Sequence, residues 1–454
     1  MRILWVCNTI LPIAAKHFGL EATNKEGWLS GLCDVVLKKQ KENGIELALA
    51  FPIAGNIRIW REAIAVGEGK VICYGFCEDT AHPEIYDSGL EPQLMKIAKD
   101  FAPDVIHCFG TEYPHTCAIC EAFPNKSRLL ISIQGLCSVY ANTYFADLPK
   151  RVINRVTLRD RIKKDSIKRQ KDKFVKRGML EIRAVKAAGN VTGRTEWDRC
   201  YTKEWNPQAK YYVMNETLRA EFYEEEWREE NCIPYSIFLS QGDYPIKGLH
   251  YMLLALPRIR EKYPMVKVYV AGNSIAAYQT LRDKLKISSY GKYIRELVQR
   301  EGLEEHVEFL GKLNARQMKE RYLKSNLFVC CSTIENSPNS LGEAMLLGMP
   351  CVSARVGGVE SIFTDREDGI LYEGFKTPEN LFDNIRYEKE TGEYTLENSV
   401  KSLANAVIEI WGDKEKMLQY CQNARNHAKK THEREQNYRR MQEIYADITA
   451  KNEA

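Results

Sequence analysis

Residues 331–361 read CSTIENSPNSLGEAMLLGMPCVSARVGGVES. The apolar run Leu327–Cys331 leads into them and predicts a buried strand. A polar loop follows, a helical pattern begins near Ser340, and Gly348 and Pro350 are placed to end that helix and open the next strand. Strand, loop and helix in a parallel sheet put the loop at the carboxyl edge, where such sheets bind ligands. The helix start offers unpaired N–H groups and a positive dipole end, and both suit a phosphate. Glu335 and Glu343 bracket the loop, and carboxylates accept hydrogen bonds from hydroxyl-rich ligands. Each has a plainer account too. Ser340-Leu341-Gly342-Glu343 spells a capping box that would use Glu343 to close the helix, and Glu335 alone is a surface loop carboxylate.

Outward from this stretch, short apolar runs alternate with amphipathic ones. Ile3–Cys7, Glu46–Phe51, Val105–Phe109, Leu129–Ile133 and Val191–Gly193 form a first series of strands. Ile237–Ser240, Val266–Ala271, Val307–Leu310, Leu327–Cys331 and Pro350–Ala354 form a second. Helical patterns such as Leu29–Asn43 and Gln93–Phe101 separate the strands. The expected fold is therefore α/β, with two Rossmann-like domains facing across a cleft. Residues 1–225 make the first domain and 226–415 the second, with a polar junction at Glu224–Asn231. Residues 416–454, charged and helical, are expected to return across the domains.

The bulk numbers bound the function. At 454 residues the chain exceeds a single core, and a formal charge of +4 gives no reason to expect a nucleic-acid partner. Fourteen irregularly spaced cysteines do not make a disulfide framework, and Cys330-Cys331 in an apolar run suit reduced thiols and a cytoplasmic setting. The opening MRILWVCNTILPIAA loosely mimics a signal peptide, but Asn8 and Pro12 break it, and a buried first strand fits as well. No apolar stretch is long enough to span a bilayer. The dense basic run from Lys150 to Arg177 is either a solvated helix surface or a face toward anionic lipid or a phosphorylated acceptor. Location at the inner face of the membrane goes with the second reading.

From about Val307 to Leu371 the chain resembles the carboxyl-terminal domain of glycosyltransferase family 4, the large retaining group with the GT-B fold that includes bacterial polysaccharide enzymes. The resemblance rests on V-x-F-L-G (Val307–Gly311), the Glu335/Glu343 pair, E-A-M-x-x-G-x-P (Glu343–Pro350), G-G-x-E-S (Gly357–Ser361) and D-G-I-L (Asp368–Leu371). It implies that Glu335 contacts the transferred sugar and Glu343 the ribose hydroxyls. Amides around Ser340, Leu341 and Gly342 would hold the sugar or the diphosphate. Lys247, in the K-G pair with Gly248, would stabilise the departing diphosphate, so no metal or other cofactor is required. Gly272 and Lys312, after their strands, and Arg194 complete the donor-binding set. The implied reaction moves a sugar from a nucleotide diphosphate sugar, a UDP-sugar by family frequency, to a glycan or lipid-linked acceptor in surface polysaccharide synthesis. An epimerase, a phosphorylase or a non-catalytic nucleotide-sugar-binding subunit are the alternatives.

The amino-terminal half resembles the family through Pro103–His107 and through Gly27, which fits a loop that lets ligand approach the backbone. The pattern is broken twice. The Arg usual before the K-G pair is missing from Ser240–Tyr244, and Gln134 stands where many relatives have His. His115 is the candidate to replace that His, and a helix-start residue after Pro114 is the alternative. His115, Cys117 and Cys120 could suggest a metal, but no second ligand pair accompanies them.

Overall fold

The computed structural model describes residues 1–21, 27–55, 57, 59–66, 69–276, 280–375 and 392–450. The chain forms two compact units: Met1–Val139 with Lys173–Arg219 and Thr431–Ala454, and Tyr140–Asp172 with Ala220–Lys430.

In the first unit the strands are β1 (Arg2–Cys7), β2 (Glu46–Ile53), β3 (Glu62–Val66), β4 (Gly69–Cys77), β5 (Val105–Phe109), β6 (Leu129–Ser132), β7 (Asn190–Gly193) and β8 (Lys210–Val213). They lie in the order β3-β4-β2-β1-β5-β6-β7-β8. Every pair is parallel except β3 with β4. Period-two alternation sends Trp5, Leu49, Phe51 and Phe109 to one face and Leu4, Val6, Ala48 and Ile106 to the other. The second face is covered by Leu90–Phe101 and Pro114–Ala122. The first receives Tyr438, Tyr445 and Ile448 of the helix Arg434–Ala450. Tyr445 Oη accepts from Trp5 Nε1 at 2.9 Å and lies 2.7 Å from Nδ1 of buried His107, whose Nε2 meets Ser132 Oγ at 2.6 Å.

The second unit contains β9 (Ile233–Leu239), β10 (Lys267–Ala271), β11 (Val307–Gly311), β12 (Ser325–Cys330), β13 (Cys351–Ala354) and β14 (Ile370–Tyr372). The order is β11-β10-β9-β12-β13-β14, with all pairs parallel. Strand order therefore reverses between β9 and β12.

Residues 140–172, expected in the first domain, pack with the second unit. His250 Nε2 meets Ala146 O at 2.7 Å, Tyr251 Oη donates to Asp147 Oδ2 at 2.7 Å, and Ser289 N donates to Asp160 Oδ2 at 3.0 Å. The polar stretch Glu224–Asn231 lies inside that unit rather than between units. Trp227 is buried within it, with Nε1 donating to Ser325 O and its amide to Leu347 O, both at 2.8 Å. The carboxyl-terminal region divides at Lys430, after the helix Lys414–Thr431 has packed with the second unit.

His107 and His250 are fully buried, which lowers their pKa to about 3 and about 4. In the unfolded chain each imidazole takes up a proton below about pH 6.5. Their contribution is therefore whole above that pH and is lost as the pH falls, at up to about 1.4 kcal/mol per unit for each group. Urea melts should show each unit losing about 2 kcal/mol between pH 7 and pH 5 from its histidine. His107→Gln should flatten the slope of the first unit, and pH-independent melts would contradict the assignment.

Candidate functional site

The reversal between β9 and β12 marks the carboxyl ends of these strands as the place where open α/β sheets take ligands. After β9 the chain makes a tight turn, Pro245–Lys247, closed by Gly248 at φ +70°. A Cβ at Gly248 would stand 1.7 Å from Cys331 O, so glycine is required both by conformation and by contact. Thr333 N donates to Ile246 O at 2.8 Å and Cys331 Sγ to Lys247 O at 3.4 Å. The loops after β9 and β12 are thereby fastened together. Lys247 Nζ lies 2.6 Å from Glu335 Oε1, and Ser332 Oγ donates to the same oxygen at 2.7 Å. Both contacts fall on Oε1, which leaves Oε2 for a ligand. Burial disfavours the Lys247 ammonium, but the adjoining Glu335 carboxylate outweighs it and holds the pKa well above the usual lysine value.

The G-G-x-E-S run belongs to the same assembly. Gly358 N donates to Glu335 O at 3.0 Å, and a Cβ at Gly357, φ +54°, would meet that oxygen at 2.0 Å. Three motifs separated in sequence therefore fix one carboxylate.

The helix Asn339–Leu347 starts one residue earlier than the sequence pattern suggested. Pro338 is its N-cap, with no side-chain cap, and Leu341 N and Gly342 N both bond to Pro338 O. The capping box expected at Ser340–Glu343 is not formed, because Glu343 lies beyond the first turn, where it is buried. The amides of Asn339 and Ser340 precede any intrahelical acceptor. Asn339 Oδ1 is buried with no hydrogen-bond partner. An uncapped amino end beside an unsatisfied amide oxygen fits an anionic, hydroxyl-bearing ligand.

A second cluster sits at the ends of β10 and β11. Gly272 at φ +111° places its amide on Gly311 O, and a Cβ there would be 2.0 Å from Asp243 Oδ1. Asn273 donates to both Asp243 oxygens, from its amide at 2.8 Å and from Nδ2 at 2.6 Å. Burial raises the Asp243 carboxyl pKa, against the hydrogen bonds of Asn273 and Gln241 and the positive charge of exposed Lys312. A cavity of about 480 Å³ opens beside it, lined by Asp243, Tyr244, Asn273, Tyr144 and Tyr290 among others. Asp243 is not marked by any motif in the sequence, although it lies in the run Ser240–Tyr244 that lacks the usual arginine. A Cβ at Gly242 would press on Val270 Cγ1 at 2.8 Å and Leu249 Cδ2 at 2.9 Å.

The other predicted residues lie in the first unit. Gly27 opens the helix Gly27–Lys38, and a Cβ there would meet Arg219 Cγ at 2.5 Å and Cδ at 2.4 Å, so the arginine stem covers the glycine. His115 is fully buried, with Nδ1 2.7 Å from Glu78 Oε2 and Nε2 3.1 Å from Asn8 Oδ1. Arg194 forms a nearly enclosed ion pair with Glu216 at 2.9 Å and donates to Ile133 O at 3.1 Å. These three are held by neighbours within the unit, whereas Lys247, Glu335, Glu343 and Ser340–Gly342 belong to one loop-and-helix assembly. Cys117 and Cys120 are buried thiols, and the described residues hold no group of three or more His, Cys, Asp or Glu arranged for a metal.

Residues 224–388 match the family described as Glycosyl transferases group 1. Spore coat protein SA of Bacillus subtilis is 26% identical over 141 residues, 31% of this chain and 35% of that protein. An uncharacterized glycosyltransferase of Methanocaldococcus jannaschii is 28% identical over 161 residues, 35% of this chain and 37% of that one. The aligned part spans little more than a third of these relatives. Among solved structures, sucrose-phosphate synthase of Thermosynechococcus elongatus superposes with a TM-score of 0.66 at 15% identity, over 99% of this chain and 100% of that one. Anabaena HepE, solved with UDP and glucose, gives 0.62 at 14%, over 98% and 100%. The fold is thus GT-B, and residues 224–388 match the family Glycosyl transferases group 1.

Breaking the Lys247–Glu335 pair should strand a charge in a mostly buried place. Lys247→Met is expected to destabilise the chain by about 3 kcal/mol. The double variant Lys247→Met/Glu335→Gln should recover at least about 1 kcal/mol of the summed single losses in denaturant melts. Strict additivity would show that the two side chains are not coupled.

Proposed function

We propose that this chain transfers a sugar from a nucleotide diphosphate sugar, a UDP-sugar by preference, to a glycan or lipid-linked acceptor in cell-surface polysaccharide synthesis. The carrying observation is the Lys247–Glu335 pair at the strand-order reversal, beside the uncapped start of the helix Asn339–Leu347. The diphosphate would lie on the Asn339 and Ser340 amides and Lys247, with Lys312 as a further cation in place of the missing arginine. Glu335 Oε2 would accept from a hydroxyl of the transferred sugar, and Glu343 from the ribose. Glu335 is engaged by an ammonium and a hydroxyl, both donors, which orients it as an acceptor.

In the reaction the bond from the anomeric carbon to the diphosphate oxygen breaks, a bond to the acceptor oxygen forms on the same face, and the acceptor hydroxyl proton passes to the departing diphosphate. Retention follows the resemblance to family 4. Charge accumulates on the departing diphosphate, and Lys247 with the helix dipole would stabilise it there, which favours metal-independent transfer. HepE crystallised with UDP and glucose supports the choice of uridine and of a hexose. His115, enclosed between Glu78 and Asn8, is assigned to positioning the loops of the first unit.

A panel of nucleotide sugars, assayed for acceptor-dependent release of nucleoside diphosphate, tests this reading. Glu335→Ala and Lys247→Ala should each lower turnover about 100-fold or more while the chain remains folded. Full activity in both variants would remove the site, and abolition of wild-type activity by a chelator would remove the metal-free mechanism.

A further inference from the structure

The basic run from Lys150 to Arg177 does not form one surface. Lys173 pairs with Glu84 at 3.1 Å and Arg177 donates to Glu112 O at 2.9 Å, both within the first unit. Residues 150–169 belong to the second unit, and there the charges sort by burial. Asp160 is buried: its Oδ2 accepts from Thr157 N at 3.2 Å and Ser289 N at 3.0 Å, and its Oδ1 from Arg159 at 3.2 Å. Asp165 also pairs with Arg159, at 2.6 Å. Arg155 is neutralised by Glu296 at 2.9 Å. The charged side chains left exposed over residues 150–169 are all cations, among them Lys150, Arg151, Arg161, Lys163 and Lys164.

The short helix Leu158–Lys163, pinned by Asp160, holds Ile162 outward at 70% exposure, with Val156 and Leu158 beside it also exposed. A second short helix from far along the chain, Leu281–Lys286, packs against it. Its acid is likewise spent: Asp283 accepts from Thr280 N at 2.9 Å in a capping box. It presents Leu285 at 58% exposure between exposed Lys284 and Lys286.

We infer that these two helices form a docking surface for an anionic lipid bilayer, with Ile162, Leu158, Val156 and Leu285 entering the interface and the surrounding lysines and arginines meeting the headgroups. Apolar tips ringed by long cationic stems, with Asp160, Asp165 and Asp283 already engaged, suit a surface that is oily within and negative at its rim. A nucleic acid would gain nothing from the aliphatic tips. The inference is independent of the glycosyl-transfer reading, since it concerns adsorption alone.

The test is flotation of the full chain with vesicles of phosphatidylcholine, or of phosphatidylcholine mixed with phosphatidylglycerol, at low and high salt. Binding is expected only with phosphatidylglycerol and should weaken with salt. Ile162→Glu and Leu285→Glu, on separate helices, should each reduce partitioning about tenfold. Arg161→Gln and Lys164→Gln should each reduce it about fivefold. Thermal melts should not move, because these side chains are exposed. Absence of binding to anionic vesicles, or binding indifferent to all four variants, would overturn the inference. Self-association in light scattering that Ile162→Glu abolishes would assign the surface to a second copy instead and would equally overturn it.

Discussion

The second unit depends on one close approach, Gly248 against Cys331 O. Because β9 and β12 are neighbours through a reversal of strand order, the loops that follow them leave the sheet side by side. Any side chain at 248 would hold them apart. With glycine there, the Lys247 ammonium reaches Glu335, and the Glu335 backbone is in turn held by Gly358. A largely buried ion pair is a poor source of stability, since desolvation consumes most of its attraction. Its value here is geometric. A carboxylate with one oxygen fixed by two donors has little freedom in how it offers the other.

The first unit has a different kind of polar core. Trp5, His107 and Ser132 lie on adjacent parallel strands and converge, directly or through His107, on Tyr445 of the carboxyl-terminal helix. The partners are separated by up to 440 residues in the chain. An all-apolar contact would let that helix slide or rotate. A hydroxyl that must satisfy an indole N–H and an imidazole nitrogen allows one register. The same face closes with Tyr438 and Ile448, so packing provides the bulk of the attraction and the network sets the position.

The main strands were legible in the sequence because strands buried on both faces read as continuous apolar runs, as in Ile3–Cys7 and Leu327–Cys331. β3, β4, β8 and β14 were not; β3, EAIAV, is short, lies at the sheet edge and is mostly exposed, so burial left no pattern on it. The assembly around Lys247 and Glu335 was legible as motifs, each glycine marking a close approach. The capping box misled because a local four-residue pattern also occurs where Pro338 has already started the helix. His115 and Arg194 show another limit. Their partners Glu78, Asn8 and Glu216 are distant in sequence, and a polar residue after a strand looks available until its partner is seen.

The basic run shows the same limit at larger scale. Composition counts charges but not which are paired, and a helix rich in lysine and arginine reads alike whether it is solvated, docked or membrane-facing. What separates the readings is the fate of the few acids. Asp160 is drawn inward by the Ser289 and Thr157 amides, and this anchors the helix Leu158–Lys163 to the rest of the second unit. Anchoring the acidic face inward turns the opposite face, with Ile162 and its flanking cations, outward. The buried carboxylate therefore does two things at once: with the His250–Ala146 and Tyr251–Asp147 contacts it ties residues 140–172 to the second unit, and it sets which face of its own helix is left for a partner.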